Sequence, residues 1–290
     1  MPQYNYDTTG EQVAADCQAQ IEDKTVLVTG ASPGGLGAAF AAIVAQYKPA
    51  CFILTARTAD KAQETAAEIA RIAPGVRTHC VALDLCSLEK VRAAAAEIDA
   101  LCERVDVLVN NAGIMGAKEY TQSADGIESH FAACHVGHFL LTNLLLSKAL
   151  APEASADAPR KIRVVNVASD GYRLGPVRFE DWNFDDGKTY NRWFAYAQAK
   201  SANMLFSRSL AQKLGKRGVT SISLHPGYIM TGLTKNLAWE DFGELDLNGS
   251  FLTDGKVVDV KQIHSWGRDP IDAEKLWTLS EDLVSQKFAY

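Results

Sequence analysis

Short runs of β-branched and other apolar residues alternate with longer Ala-rich stretches along most of this chain, beginning at Lys24. The runs typical of strands lie at 25–29, 52–55, 77–83, 105–109, 163–167 and 220–224. The stretches typical of helices lie at 36–46, 60–72, 88–102, 130–150 and 194–215. Continuous apolar runs are expected when both faces of a parallel sheet are covered. The alternation therefore predicts an α/β fold: a single doubly wound, Rossmann-type parallel sheet flanked by helices on both faces.

No linker or change of composition divides the chain, so residues 1–290 are predicted to form one domain. Residues 1–23 are an N-terminal extension, where Thr9, Val13, Cys17 and Ile21 predict a short capped amphipathic helix. The segments 171–193 and 232–268 are irregular and contain several aromatic residues, and a final helix is expected at 273–286. Long irregular loops often form lids or binding walls, and we predict a substrate lid in 232–268.

Composition and charge exclude several classes of protein. The chain has 29 Lys and Arg against 35 Asp and Glu, a net charge of −6, and no basic segment suited to nucleic acid or an anionic membrane. No apolar run approaches the roughly 18 residues of a membrane span, and no signal-peptide pattern opens the chain. The six cysteines lack a Cys-x-x-Cys pair, which favours reduced thiols. We expect a soluble cytoplasmic protein with neither nucleic-acid nor membrane partner.

A glycine-rich loop directly follows the first predicted strand, as Thr-Gly-Ala-Ser-Pro-Gly-Gly-Leu-Gly at 29–37. Glycines let the backbone approach a pyrophosphate closely, and the N–H groups at the start of the next helix attract its negative charge. Such a loop is a weak signal alone and a strong one between the first strand and first helix. Because no Gly-Lys-Ser/Thr follows, a phosphate loop of an NTPase is disfavoured.

The end of the second predicted strand indicates which dinucleotide binds. An acidic side chain there would bond the ribose 2′-hydroxyl of NAD(H), whereas the 2′-phosphate of NADP(H) favours a cation. The sequence reads Leu-Thr-Ala-Arg-Thr at 54–58, with no acid and with Arg57, whose guanidinium suits a phosphate. NADP(H) is therefore the predicted cofactor, although Arg57 could also be an ordinary surface charge.

Tyr196 and Lys200 lie four residues apart within the predicted helix 194–215. Residues at this spacing share one helix face, so the Lys200 ammonium can lie beside the Tyr196 hydroxyl. A nearby positive charge favours the phenolate and lowers the tyrosine pKa. The pair is thus a candidate proton donor for a carbonyl or proton acceptor for an alcohol. By itself, the pattern more often marks a solvated pair on a helix surface.

Taken together, these motifs resemble the short-chain dehydrogenase/reductase family over about residues 24–235. The glycine loop, Asn-Asn-Ala-Gly at 110–113, Ser169 after the fifth strand and the Tyr196/Lys200 pair occur in the family's order. The segments Gly-His-Phe-Leu-Leu-Thr-Asn (137–143) and Leu-His-Pro-Gly (224–227) resemble the retinol-dehydrogenase-like branch, which includes many fungal oxidoreductases. The resemblance implies a Rossmann fold and hydride transfer.

The resemblance also implies roles at matching positions. Ser169 would hold the substrate carbonyl oxygen, Tyr196 would pass the proton, and Lys200 would lower the Tyr196 pKa while bonding the nicotinamide ribose. Asp84 would contact adenine. The implied cofactor-binding residues are Gly30, Ser32, Gly35, Leu36, Gly37, Arg57, Asp84, Leu85, Asn111, Ala112, Gly113, Tyr196, Lys200, Pro226, Gly227, Ile229 and Thr231. Helices 130–150 and 194–215 form dimer faces in the family, which suggests a homodimer.

The sequence departs from the family pattern at two places. Four residues rather than three separate Gly30 from Gly35, so either Pro33 or Gly34 is an insertion. Cys134 replaces the asparagine of the family's catalytic tetrad, whose main-chain carbonyl helps to organise a water near the lysine. A main-chain oxygen survives any substitution, and we interpret Cys134 as a packed helix residue rather than a redox group. His130, His135 and His138 lack the His-Glu-x-x-His pattern of a zinc site, so no metal is expected.

The leading functional prediction is an NADP(H)-dependent oxidoreductase that interconverts a carbonyl and an alcohol. The aromatic loops favour a medium-sized apolar or aromatic small-molecule substrate, and the fungal resemblance suggests a specialised metabolite. One alternative is a dinucleotide-binding regulatory protein with impaired catalysis, for which Cys134 is the only indication. The other is a non-redox lyase or isomerase on the same scaffold, because pocket walls rather than motif residues would set that chemistry.

Overall fold

The computed structural model describes residues 4–5, 7–150, 161–227, 229 and 260–290. The helices are α1 Gly10–Asp16, α2 Gln18–Ile21, α3 Leu36–Ala45, α4 Ala59–Ile72, α5 Leu88–Leu101, α6 Ser129–Phe131, α7 Gly137–Ala149, α8 Arg192–Leu214 and α9 Pro270–Leu283. The strands are β1 Thr25–Thr29, β2 Cys51–Ala56, β3 Arg77–Ala82, β4 Val107–Asn110, β5 Ile162–Val167 and β6 Val219–Leu224. All five strand pairings are parallel, and the order β3-β2-β1-β4-β5-β6 confirms the predicted doubly wound sheet.

Two apolar layers cover the sheet, one on each face. One layer packs α3 and α4 against side chains of β1 and β2, such as Val28 and Phe52. The opposite layer packs α5, α7, α8 and α9 against side chains such as Leu27 and Ile53. Alternate residues of β1 and β2 therefore enter opposite cores, which explains why their sequences are apolar throughout.

The expectation of uniformly apolar, buried strands is wrong at the sheet edges. The central strands β1 and β2 are buried along their whole length, whereas the edge strands β3 and β6 contain exposed residues. An edge strand has a neighbour on only one side, so part of its surface remains open to solvent. The sequence pattern indicates which residues favour a strand, but it does not indicate whether that strand lies at the centre or at the edge of the sheet.

Three helix predictions needed correction. The final helix, predicted at 273–286, is α9 at Pro270–Leu283, because Asp269 caps it and Pro270 begins it. The N-terminal helix is capped by Thr9 and Gln12 in a capping box, but α1 ends at Asp16 and a separate short helix, α2, follows Cys17. The predicted helix 130–150 is divided into α6, a π-helical turn at Ala132–Val136, and α7. Single π turns are rare and frequently accompany functional sites.

The segment 171–193 is packed against the fold. Two of its side chains, Tyr172 and Phe184, have no exposed surface. Most of the predicted lid 232–268 lies outside the described residues, and its described end, 260–268, packs Ile263 and Trp266 against Tyr172. Among the helices that the structure describes, none is long and apolar enough to cross a membrane.

Candidate active site

Ser169, Tyr196 and Lys200 meet at the carboxyl edge of the sheet. Ser169 lies just beyond β5 and begins a 3₁₀ turn at Asp170–Leu174, with its hydroxyl accepting the Gly171 N–H at 3.1 Å. Tyr196 and Lys200 lie in the first half of α8 and are 6% and 5% exposed. The Ser169 side chain lies close enough to the Tyr196 phenol to lower its pKa, although burial raises that pKa overall. The three predicted catalytic residues therefore form one cluster.

The pKa of Tyr196 reflects opposing effects. Burial raises it, whereas the Lys200 charge and the Ser169 side chain lower it. Lys200 lowers the pKa of Tyr196, as predicted. The expected net lowering is wrong, because burial has the largest effect and the pKa of Tyr196 is raised. A buried phenol that remains protonated is suited to donating a proton.

The Lys200 ammonium is held by the main chain. It donates to the oxygen of Val167 at 2.9 Å, and the Asn203 amide donates to the same oxygen at 3.2 Å. The ammonium lies 5.6 Å from the centre of the Tyr196 ring. A Cβ atom built at Gly113 would lie 3.8 Å from the ammonium, so the end of the Asn-Asn-Ala-Gly motif borders the same cluster.

The glycine loop has the close backbone approaches that require glycine. Gly30 has a φ of +71°, and a Cβ there would lie 2.8 Å from the Cα of Ala112. A Cβ at Gly37 would lie 2.7 Å from the oxygen of Gly30. Gly35 is the residue preceding α3, whose first N–H groups are therefore directed at the loop.

The extra residue of the loop lies at its outer side. Pro33 and Gly34 are exposed, and a Cβ at Gly34 would meet no atom within 4 Å. Ser32 and Leu36 are partly buried and flank this bulge. The insertion thus projects outward, while the tight contacts of Gly30 and Gly37 are preserved.

The predicted cofactor residues Asn111 and Ala112 hold the glycine loop against β4. The Asn111 amide donates to the main-chain oxygens of Thr29 and Gly30, at 2.8 and 3.3 Å. The main-chain N–H groups of Asn111 and Ala112 donate to the Thr29 hydroxyl at 2.9 and 3.0 Å. Two adjacent strand ends are thereby joined beside the cofactor loop.

The residues beyond β2 and β3 lie beside each other. Arg57 is exposed, and its charge opposes the rise in the pKa of Cys86 that burial chiefly causes. Asp84 accepts the Cys86 N–H at 3.1 Å and lies 3.3 Å from the Lys90 ammonium. Leu85 is buried, and its oxygen would lie 2.6 Å from a Cβ atom at Gly137 of α7. Arg57 and Asp84 therefore border one side of the cofactor edge, while Leu85 packs into the core.

The predicted residues after β6 are partly described. Gly227 has a φ of +92°, Pro226 is partly buried, and Ile229 is exposed. His225 accepts the main-chain N–H of Asp170 at 3.3 Å, which joins this segment to the turn after Ser169. Thr231 lies outside the described residues.

Cys134 lies in the π-helical turn and is buried. Its thiol donates weakly to the oxygen of Ile114 at 3.5 Å, and a Cβ at Gly113 would lie 3.1 Å from its sulfur. Its main-chain oxygen lies 3.1 Å from Nδ1 of His138. Because a carbonyl only accepts, Nδ1 carries the hydrogen.

His138 joins this turn to the glycine loop. Its Nε2 accepts from the Thr29 hydroxyl at 2.8 Å, and burial lowers the pKa of His138 to about 4. The sequence pattern considered His130 and His138 only as metal ligands, which it disfavoured, and it predicted no role for Thr29 or Glu128. Two signals were available in the sequence. Thr29 stands directly before Gly30 of the glycine loop, and Glu128 stands two residues before His130. In the described residues no cluster of three His, Cys, Asp or Glu side chains could hold a metal.

Comparison with known proteins identifies the family. The short chain dehydrogenase family model matches residues 24–179. Oxidoreductase fscI of Fusarium equiseti is 35% identical, with 76% of this chain and 93% of that protein covered. Retinol dehydrogenase 11 of Mus musculus is 34% identical, with coverage of 91% and 87%. A crystal structure of an uncharacterised protein from Mycobacterium paratuberculosis matches with a TM-score of 0.68 and 32% identity, covering 94% of this chain and 98% of that one.

The chain belongs to the short chain dehydrogenase family, in the retinol-dehydrogenase-like branch, and is an oxidoreductase. The family and branch predicted from the motifs are confirmed. The fold of this family implies a nicotinamide dinucleotide cofactor.

Proposed function

We propose that the protein interconverts a carbonyl and an alcohol on a medium-sized apolar or aromatic substrate, using NADP(H). The observation that carries the proposal is the cluster of Ser169, Tyr196 and Lys200 beside the glycine loop. All lie at the carboxyl edge of the sheet, where open α/β folds bind their ligands.

The residues present suit a dinucleotide. Gly30 and Gly37 leave a backbone surface without side chains, and α3 begins beside it, so this part of the loop would hold the pyrophosphate. Asp84 would contact the adenine half, and Lys200 and Gly227 would contact the nicotinamide half. When bound, the nicotinamide dinucleotide supplies the hydride donor or acceptor.

The side chains of the cluster divide the remaining chemistry. In reduction, the Ser169 hydroxyl would donate a hydrogen bond to the substrate carbonyl oxygen, and Tyr196 would donate its proton to that oxygen. In oxidation, the Tyr196 phenolate would accept the alcohol proton. The positive charge of Lys200 would stabilise that phenolate, and for this reason it lowers the pKa of Tyr196.

The preference for NADP(H) is supported by Arg57. It is exposed beyond β2, where an acid would favour NAD(H), and its guanidinium can bind a 2′-phosphate through two parallel hydrogen bonds. The substrate class is supported by the similarity to retinol dehydrogenase 11, which is named for an alcohol substrate, and by the aromatic residues of 171–193. The similarity to a fungal oxidoreductase agrees with the fungal resemblance of the motifs, on which alone we propose that the substrate is a specialised metabolite.

The alternative function, a dinucleotide-binding regulatory protein with impaired catalysis, is indicated only by Cys134. The intact cluster and the buried, packed position of Cys134 favour catalysis. A turnover assay with NADPH and a panel of ketones and aldehydes separates the two functions. If the wild type is active, Tyr196→Phe should reduce turnover at least about a hundredfold, which is the lower range for acid–base catalysis. The variant should still bind NADPH.

Tyr47→Phe is a matched control, since its hydroxyl donates to the main-chain oxygen of Glu11, in the N-terminal extension. Undiminished turnover in Tyr196→Phe would show that the assigned proton donor is wrong. Wild-type protein that binds NADPH but reduces no member of the panel would favour the binding protein.

A further inference from the structure

Glu128 and His130 form a fully buried pair that the proposed chemistry does not use. Oε1 of Glu128 lies 2.7 Å from Nδ1 of His130, and neither side chain is exposed. The carboxylate also caps α6 by accepting the main-chain N–H groups of His130 and Phe131, each at 2.9 Å. Buried polar groups with this many partners have well-defined positions.

The free nitrogen of His130 holds a loop. Nε2 of His130 lies 3.3 Å from the main-chain nitrogen of Ala117, whose N–H can only donate. Nε2 therefore accepts, and Nδ1 carries the hydrogen that is donated to Glu128. From the other side, the Tyr190 hydroxyl donates to the oxygen of Ala117 at 2.8 Å. Ala117 is thus fixed through both its N–H and its carbonyl group.

We call the loop held in this way, residues 114–117, the wall loop. It begins directly after Gly113, at which a Cβ would lie 3.8 Å from the Lys200 ammonium. At its other end, the His130 ring packs edge-on against the Tyr196 ring, with centroids 6.3 Å apart and planes at 75°. The wall loop therefore follows the cluster from Lys200 towards Tyr196.

The turn that precedes Tyr190 has an energetically unfavourable backbone conformation. Phe184, Asp185 and Asp186 have positive φ angles of 58°, 45° and 51°. Successive left-handed residues are unfavourable for L-amino acids and cluster at functional sites. Here the turn is stabilised by burial of the Phe184 ring, which packs edge-on against Tyr190 with centroids 5.7 Å apart.

The same segment also contacts the buried pair. The side-chain oxygen of Asn183 accepts the main-chain N–H of Glu128 at 2.8 Å. The segment that carries Tyr190 and the segment that carries His130 are therefore joined independently of Ala117. The two groups that hold the wall loop belong to one connected frame.

We propose that the wall loop is a side wall of the substrate site and that His130 and Tyr190 are positioning residues, which fix it through Ala117 and so determine the bulk of the carbonyl substrate that fits. This inference rests on the proposed carbonyl–alcohol activity. Neither residue is required to contact the substrate, because both act through the loop.

The test compares wild type, Tyr190→Phe, His130→Asn and the double variant, with NADPH and either butanal or benzaldehyde. Tyr190→Phe removes a single hydroxyl and preserves the ring packing. The amide introduced by His130→Asn can still donate to Glu128 but is too short to accept from Ala117. We expect each single variant to change the ratio of kcat/KM for the two aldehydes at least threefold, mainly through KM, with KM for NADPH unchanged.

The effects in the double variant should be smaller than the product of the single effects, because both groups hold the same residue. His130→Gln, whose longer amide can accept the Ala117 N–H, should restore part of the wild-type ratio. Tyr120→Phe is the matched control: its ring packs against Tyr190, but its hydroxyl accepts only from Gln122 among the described contacts. It should leave the ratio unchanged.

Hydrogen exchange of the peptide that contains 114–117 gives a readout independent of turnover. Tyr190→Phe should accelerate it, and Tyr120→Phe should not. Unchanged exchange and an unchanged aldehyde ratio in Tyr190→Phe would overturn the inference, as would equal changes in Tyr120→Phe. If the wild type reduces neither these nor other carbonyls, the proposed function and the substrate part of the inference fail together. Exchange then still decides whether Tyr190 holds the loop.

Discussion

The Lys200 ammonium donates a hydrogen bond to the main-chain oxygen of Val167 at 2.9 Å, and this bond fixes the position from which its charge acts on Tyr196. Val167 is the last residue of β5, and Lys200 lies on α8, so the sheet itself places the charge. The electrostatics of the site consequently depend on how α8 docks on β5.

Replacing Lys200 by Met should raise the pKa of Tyr196 further, because the protein would lose an effect that lowers it while burial remains. Alcohol oxidation requires the phenolate, whose fraction increases with pH. The rising limb of kcat against pH should therefore move to higher pH, and turnover at pH 7 should decrease by about a hundredfold. Lys200→Arg, which retains the charge, should show the smaller displacement. A rising limb at the wild-type pH in Lys200→Met would contradict the electrostatic role.

Gly171 leaves the space that the Tyr196 ring occupies. A Cβ atom there would lie 2.8 Å from Cε1 of Tyr196 and 3.4 Å from the Ser169 hydroxyl. Gly171→Ala should therefore displace the tyrosine and reduce turnover by about a hundredfold, since displacements near 1 Å can have effects of this size. NADPH affinity, measured by titration calorimetry, should decrease much less than turnover.

Gly175→Ala is the control for this prediction. Its φ of 169° is extended, and a Cβ there would meet no atom within 4 Å. Both variants add one methyl group to the same turn region. Equal activities for the two would show that crowding at Tyr196 does not limit the reaction.

Arg57→Ala should weaken NADP(H) binding by about 1.5–3 kcal/mol, the range for hydrogen bonds to a charged group, and should hardly affect NAD(H). Arg71→Ala removes an exposed guanidinium from α4, where it pairs with Glu68, and serves as the control. Calorimetric titrations with both cofactors provide the measurement. An equal loss of affinity for NADP(H) and NAD(H) would show that Arg57 does not select the phosphate.

Cys134→Asn should change turnover by no more than about threefold, well under 1 kcal/mol in the barrier. The main-chain oxygen of Cys134 is held by His138, and the π-helical turn is packed on all sides, so the backbone should keep its position. Steady-state kinetics provide the measurement. A tenfold or larger gain would show that the missing amide limits the wild-type enzyme.

If the Cys134 thiol takes part in the reaction, both Cys134→Asn and Cys134→Ser should lose activity. Alkylation should then inactivate the wild type unless cofactor is bound. Among the described residues, the thiol makes a weak hydrogen bond to the oxygen of Ile114, which agrees with a packing role.

The amino-acid sequence by itself determined the elements of the fold and the motif residues. β1 is found at the predicted residues, and the bounds of α3, α4 and α5 differ by one residue at most. These predictions succeeded because strand and helix periodicity, glycine positions and the spacing of Tyr196 from Lys200 depend on backbone geometry over a few residues.

Only the tertiary structure decided how distant groups combine. It brought Ser169 to Tyr196, divided the predicted helix 130–150 by a π turn, and raised the Tyr196 pKa through burial. It also buried Glu128 with His130 and joined them to Ala117. Periodicity carries no information about these contacts, because burial of a polar side chain depends on partners that other segments supply through packing.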